Sequence, residues 1–291
     1  MTQSRPLDHL VLPVTDLATA RLRLVALGFT VAADARHPFG TENACVYFSD
    51  RTYLEPLAIG NDADCEASAR AGNQFTGRDR AFRFRNGEEG FASVALGTDD
   101  ADADHQSFRA AGLCGGDQLR FSRTMKLPDG TEVEPQFTLS FSADLRSPDF
   151  HAFTCERANL PPVDRSMLER HDNGATAIAE VVLSEQDPSA FVGYLQAVTG
   201  GEVSAPVSGR LELQVADSRI SVLDPATLQN EFGVPRSSER GLRGEAVVFR
   251  VADLAATERL LAGNGVRHMR SGGKILVPRE PGQGTLFAFS E

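Results

Sequence analysis

Leu7-Asp8-His9-Leu10-Val11-Leu12-Pro13-Val14-Thr15-Asp16-Leu17-Ala18 opens the first regular unit of this chain. An apolar, strand-like run reaches a turn at Asp16. A helix-like segment follows, carrying Leu22, Val25 and Ala26, and stops at Gly28-Phe29. Nearly the same phrase returns as Val251-Ala252-Asp253-Leu254-Ala255, after the apolar run 246–250 and before Leu260, Leu261 and Gly265. Self-similarity of this kind is read before anything else, because it decides the fold.

Two weaker copies lie between. One runs from 91–96 through Thr98-Asp99-Asp100 to a helix ending at Gly112. The other runs from 178–183 through Asp187 and Pro188 to Thr199-Gly200-Gly201. Asp16, Asp99 or Asp100, Asp187 and Asp253 fall at the strand-to-helix turn, where a carboxylate caps free N–H groups. The glycines after the helices suit a left-handed cap. Short β-type runs follow each helix: 29–33, 44–48 and 53–58 in the first unit, then 118–127 and 131–141 around a Pro128-Asp129-Gly130 hairpin signal, and 150–156. Later runs are 210–215, 219–223, 274–277 and 285–289. The pattern predicts an α+β fold: four βαβββ modules in two pairs, 1–158 and 174–291, as curved mixed sheets with helices outside. Residues 60–90, 159–173 and 232–244 read as polar connections, the first with some local helix and the second being the linker between pairs.

The chain carries 40 acidic against 29 basic residues, a formal net charge of -11. That argues against nucleic-acid binding, which needs a positive field. No apolar run reaches the roughly 18 residues of a membrane span. The first six residues lack an apolar core, so no signal peptide is expected. Cys45, Cys65, Cys114 and Cys155 lie far apart with no C-x-x-C pair, which predicts free thiols and a cytoplasmic location. No P-loop, dinucleotide fingerprint, nucleophile elbow or H-E-x-x-H is present.

Asp8-His9, Val14, Asp16-Leu17, Gly28-Phe29 and the closing Tyr53-Leu54-Glu55 together resemble the glyoxalase/bleomycin-resistance/extradiol-dioxygenase superfamily, also called vicinal oxygen chelate. Arg36-His37-Pro38-Phe39-Gly40-Thr41-Glu42-Asn43 resembles its "glyoxalase-like domain" branch. The resemblance implies that paired modules curl into a cup. It also implies that metal-dependent members take one ligand from the first strand of a module and a Glu from its last. His9 and Glu55 match those positions, and strand parity lets both face the cup. The implied cofactor is a divalent metal, such as Zn, Mn, Fe, Ni or Mg, acting as Lewis acid in a lyase, isomerase or dioxygenase reaction.

The other modules hold less. Aligning the repeats puts Ser93, Glu180 and Ala246 opposite His9, and Val222 and Ala288 opposite Glu55 in modules three and four. A third ligand is sought among His151, Cys155 and Glu156; Glu156 is the expected one, although a strand cannot turn both Cys155 and Glu156 inward. His37 is expected to orient a substrate or move a proton beside Glu55. Asn43, Tyr47 and Arg36 are expected to bind substrate, while Arg51, Arg120 and Arg123 are further anion candidates. His105, His171 and His268 read as surface. The expected partner is a small molecule, with a homodimer possible. The alternative is a metal-free protein of the bleomycin-resistance type that sequesters its ligand.

Overall fold

The computed structural model describes residues 4–126, 130–204, 207–216, 218–235 and 237–291, with only the backbone of Met125 and Lys126. The first half is built from β1 (Leu7–Pro13), α1 (Leu17–Ala26), β2 (Ala35–Arg36), β3 (Thr41–Asn43), β4 (Val46–Tyr47), β5 (Tyr53–Ile59), α2 (Asp62–Arg70), α3 (Gln74–Asn86) and β6 (Ser93–Gly97). It continues through α4 (Ala101–Ala110), β7 (Leu119–Ser122), β8 (Met125–Lys126), β9 (Glu132–Val133), β10 (Gln136–Phe141) and β11 (His151–Ala158). Nine of these strands form one sheet in the order β2-β3-β5-β1-β6-β11-β10-β7, with β4 also paired to β5.

The second half comprises β12 (Ala175–Ser184), a 3-10 turn (Pro188–Phe191), α5 (Val192–Thr199), β13 (Glu202–Val203), β14 (Arg210–Val215), β15 (Ser218–Leu223) and α6 (Pro225–Phe232). It closes with β16 (Arg243–Val251), α7 (Leu254–Gly263), β17 (Met269–Ser271), β18 (Lys274–Val277) and β19 (Leu286–Ser290). Its eight strands run β13-β14-β15-β12-β16-β19-β18-β17. Each sheet is therefore two modules joined through antiparallel first strands, β1 on β6 and β12 on β16. Within each module the first strand lies parallel to the last.

The turn chemistry follows the sequence. Asp16, Asp100, Asp187 and Asp253 each accept a backbone N–H, from Thr19, Ala103, Ser189 and Ala256. Gly28 and Gly265 have φ of 84° and 69°, the left-handed conformation that costs a glycine nothing.

One expectation about these elements is corrected. Residues 29–33 form no strand: Phe29 is instead a core plug between the halves, 5.1 Å from Phe249 and 6.1 Å from Phe48 by ring centroid. The local helix expected within 60–90 amounts to two helices, α2 and α3. Of the hairpin signal, β8 and β9 pair as expected, but Pro128 and Asp129 lie outside the described residues.

Alternation sorts the strand residues onto two faces. Leu10, Leu12, Leu54 and Val94 point to the side that packs against Val247, Phe249, Phe287 and Phe289 of the second half, in one continuous apolar core with α1, α4, α5 and α7. The opposite faces form two cups. In the second cup, Leu228 and Phe232 of α6 lie on Val182, Leu223, Ala246 and Ala288, so the hollow is filled. The first cup is lined by Val11, Leu57, Phe153 and Cys155, with Phe75 of α3 against it.

The linker is fixed to both halves. Asn173 donates to the Leu27 carbonyl at 2.8 Å, and its own carbonyl accepts from Thr257 Oγ1 at 2.8 Å. His171 is not a surface residue. Its Nδ1 accepts the Thr30 N–H at 3.0 Å and its Nε2 donates to the Tyr47 carbonyl at 3.0 Å, between the rings of Phe29 and Phe48.

Candidate functional site

His9 on β1 and Glu55 on β5 both point into the first cup and are 4% exposed. His9 Nε2 lies 3.4 Å from Glu55 Oε2. The strands that carry them are parallel neighbours, with Val11 opposite Glu55. His9 Nδ1 is bonded to Asp8, and Asp8 in turn is held by both terminal nitrogens of Arg157. Arg157 also donates to Tyr53 Oη at 2.9 Å, and the Tyr53 ring stacks on His9 with centroids 4.5 Å apart.

The other arm of Glu55 is equally committed. Oε1 accepts the Asn43 side-chain N–H at 2.6 Å and lies 3.7 Å from His37 Nε2. His37 Nδ1 bonds to Thr41 Oγ1 at 2.9 Å. The loop that delivers His37 depends on Gly40, whose φ is 95° and whose missing Cβ would stand 2.6 Å from the Asn61 carbonyl oxygen. A residue with a side chain would collide there, so the loop packs on the start of α2 only with glycine.

Burial and charge set the protonation states. Burial would raise the Asp8 carboxyl, but Arg157 outweighs it and holds the group well below the usual carboxylate range. Burial likewise opposes charge on His9, yet Asp8 and Glu55 outweigh it and raise the imidazole above 6.5. Glu55 is brought down to about 2, because His9 more than offsets its burial. His37 goes the other way: burial lowers it to about 4, against the pull of Glu55. At neutral pH the cup therefore holds the Glu55 carboxylate and a neutral His37 imidazole, beside a His9 whose charged form is favoured by its two carboxylate neighbours.

The remaining volume is about 50 Å3, room for one or two water molecules. Its apolar wall comes from Phe39, Phe75, Phe121, Phe137 and Phe153. Asn43 and Tyr47, expected at the site, line it, and so does Arg123. Arg123 lies over the Phe137 ring, and its Nη1 is buried without a hydrogen-bond partner among the described residues. Nothing in the local sequence marked Arg123 above its neighbours, because only the curl of β7 over the cup brings it there.

Two expected residues are elsewhere. Arg36 is an exposed side chain near Glu42, outside the cup. Glu156, expected as a ligand, faces the opposite side of β11, where its carboxylate accepts the Ala101 N–H at 2.9 Å and caps α4. Cys155 takes the inward position. Its thiol and that of Cys45 are pushed by burial up to about 12, so neither is a ready nucleophile or ligand. His151 sits beside Phe141 and Phe153 and is held neutral by burial. Arg120 pairs with Asp102 in solvent.

Residues 7–199 match the family described as "Glyoxalase-like domain". The chain belongs to this family. The glyoxalase-like chain has the fold of the vicinal oxygen chelate superfamily, and solved structures reflect it. A hypothetical protein from Staphylococcus aureus matches with a TM-score of 0.66 at 12% identity, covering 99% of both chains. A triple mutant of 4-hydroxymandelate synthase from Streptomyces coelicolor matches with a TM-score of 0.61 at 14% identity, over 98% of this chain and 92% of the other. A Mn(II)-bound glyoxalase from Novosphingobium aromaticivorans matches with a TM-score of 0.55 at 12% identity, over 99% and 82%. No curated protein matches by sequence. At these identities the likeness is one of fold. Among the described residues no helix is long and apolar enough to cross a membrane.

The fold family implies a divalent metal, and the donor set can be tested against one. His9 and Glu55 supply one nitrogen and one oxygen ligand, half a site. The internal repeat defines where the other half belongs. Ser93 pairs with His151 as His9 pairs with Tyr53, and Phe153 stands two residues beyond His151 as Glu55 does beyond Tyr53. A hydroxyl and a phenyl ring therefore occupy the places of a second imidazole and carboxylate. Among the described residues no group of three His, Cys, Asp or Glu side chains is placed to hold a metal ion. The residues do not fit a protein-held metal centre.

Proposed function

We propose that the glyoxalase-like chain binds a small oxygenated metabolite in its first cup without a protein-held metal. The observation that carries this reading is Arg123 Nη1, a buried donor with no partner among the described residues, on an aromatic-lined hollow. A buried unmatched donor costs free energy until an acceptor arrives. The ligand's oxygen atoms meet Arg123, the His9 imidazole and the Asn43 amide. Its flat apolar body lies among the phenylalanines. A cavity of about 50 Å3 admits such a molecule only if Phe39 and Phe121, which pack edge to face at 5.2 Å, move apart.

The protonation states favour holding over turnover. General acid–base catalysis works best with groups whose pKa lies near the working pH. Glu55 at about 2 and His37 at about 4 are weak bases in the closed cup. His9 is the one group suited to give a proton or to polarise a carbonyl.

A second reading is a divalent-metal lyase, isomerase or dioxygenase with His9 and Glu55 as its protein ligands. The Asp8–His9 bond favours it, because a carboxylate on Nδ1 is the usual support for a metal-binding imidazole. Metal analysis of untagged protein separates the two. The binding protein predicts less than one equivalent of Mn, Fe, Zn, Ni or Mg, unchanged by His9→Ala or Glu55→Gln. Stoichiometric metal that is lost in both variants would overturn it.

A further inference from the structure

One cation on the first cup is left without an anion. His9 stands between two carboxylates, Asp8 and Glu55, and Arg157 is paired with Asp8. Those groups are matched. Arg123 differs: it lines the hollow, yet its guanidinium makes no ion pair and no hydrogen bond among the described residues. Its one close partner is the Phe137 ring, whose centroid is 5.5 Å from the guanidinium carbon.

A second guanidinium repeats the pattern at the rim. Arg165, in the linker, lies over the Tyr47 ring at 4.6 Å and also has no carboxylate partner among the described residues. Both arginines lie close enough to act on the Tyr47 hydroxyl. In a chain of net charge -11, they set a local positive field over one aromatic wall. The carboxylate that faces the hollow is Glu55, ionised down to about 2. It belongs to β5, on one arm of the curled sheet, whereas Arg123 follows β7, at the end of the other arm.

We infer that the ligand of the cup is an organic monocarboxylate. The inference rests on the cup reading above and narrows it. The one carboxylate sits on Arg123, and an uncharged body lies among the phenylalanines toward Glu55. A half-buried cation without an anion is costly, and a carboxylate matches a guanidinium in shape as well as in charge. A neutral ligand would meet the same donor and leave its charge unbalanced. A dicarboxylate would bring its second charge up to Glu55 and be repelled. Arg165 acts earlier, drawing the anion to the mouth.

Benzoate, benzamide and terephthalate share one ring and differ in charge. Each is titrated into the full chain by calorimetry, with the His9 and His37 imidazole signals in NMR reporting that the cup is the site. Benzoate is expected to bind at least about tenfold more tightly than either of the others. Arg123→Gln is expected to erase that preference, and Arg123→Lys to keep most of it. Arg165→Ser is expected to slow benzoate association about two- to threefold in stopped flow at low salt, the difference vanishing at high salt. Benzamide or terephthalate held in the cup as tightly as benzoate would overturn the inference and leave the cup reading standing. A benzoate preference that survives Arg123→Gln would do the same. Both imidazoles silent to all three probes at about 10 mM would overturn the cup reading as well. Unfolding midpoints of the two Arg123 variants establish that they fold.

Discussion

The ring of Phe153 meets the imidazole of His9 nearly edge-on, 70° between planes and 5.6 Å between centroids, at the place where the repeat would otherwise set a second carboxylate. The contact is apolar where a metal centre would be charged. It explains how a chain can keep His9 and Glu55 and still lack a full ligand set. A direct consequence is that restoring the repeat restores a site. The double variant Ser93→His/Phe153→Glu is expected to take up roughly one equivalent of zinc or manganese, as four facing donors do. Wild type is expected to take up far less under the same dialysis. A folded double variant that binds no metal would show that the halves of the cup are spaced wrongly for one.

Asp8 connects Arg157 to His9, so its removal leaves a buried guanidinium without its anion. Asp8→Asn is expected to cost about 3 kcal/mol in urea unfolding and to lower the His9 pKa. The pH dependence has a definite sign. Glu55 and Asp8 have depressed pKa values in the folded state, so they stabilise the fold above their unfolded values and lose that contribution as pH falls through the folded ones. For Glu55 the window runs from 4.5 down to about 2. Wild type is expected to lose stability steeply there, and Asp8→Asn less steeply.

His171 predicts a separate effect nearer neutrality. Its Nδ1 accepts a hydrogen bond, so protonation would break the clasp on Thr30. Burial lowers its folded pKa below 6.5. The unfolded chain therefore takes up a proton first, and stability falls as pH drops below about 6.5. His171→Gln should flatten the profile between pH 7.5 and 5.5 (roughly the range of histidine titration). An unchanged slope would assign the pH effect to another group.

Glu156 separates support from ligation. Glu156 accepts the Ala101 N–H beside the Asp100 cap of α4, so Glu156→Ala should cost about 1 kcal/mol, with ligand binding in the cup unaltered. Arg123→Ala should do the reverse: little change in stability and at least about tenfold weaker binding of an oxygenated ligand. If Glu156→Ala abolished binding with the fold intact, the cup would have been drawn on the wrong face of β11.

Much of this was legible from the sequence. The capping aspartates and the glycines after the helices follow from local chemistry, and so does the repeated βαβββ order. The family resemblance singled out His9 and Glu55, and period-two parity allowed both to face the cup. What could not be read depended on contacts between distant segments. The choice between Cys155 and Glu156 is a register decision, settled only by the packing of β11 on α4, where Glu156 accepts the Ala101 N–H. The helix α3 hides behind Arg and Asp residues, because its apolar stripe is only Phe75 and Phe82. The helix α6 carries just Leu228 and Phe232 to the core, too few to mark its role as the filling of the second cup. His171 looked like a linker residue in water because its partners lie 124 and 141 positions away.

The anchoring of Asn173 and His171 has a consequence for how the protein comes apart. With the tail of the linker bolted to both neighbours and an unbroken oily interior behind it, a protease cutting near Met167 would release nothing. The two fragments would travel as one particle until denatured. Expressed singly, each would present its bare inner surface to water and clump.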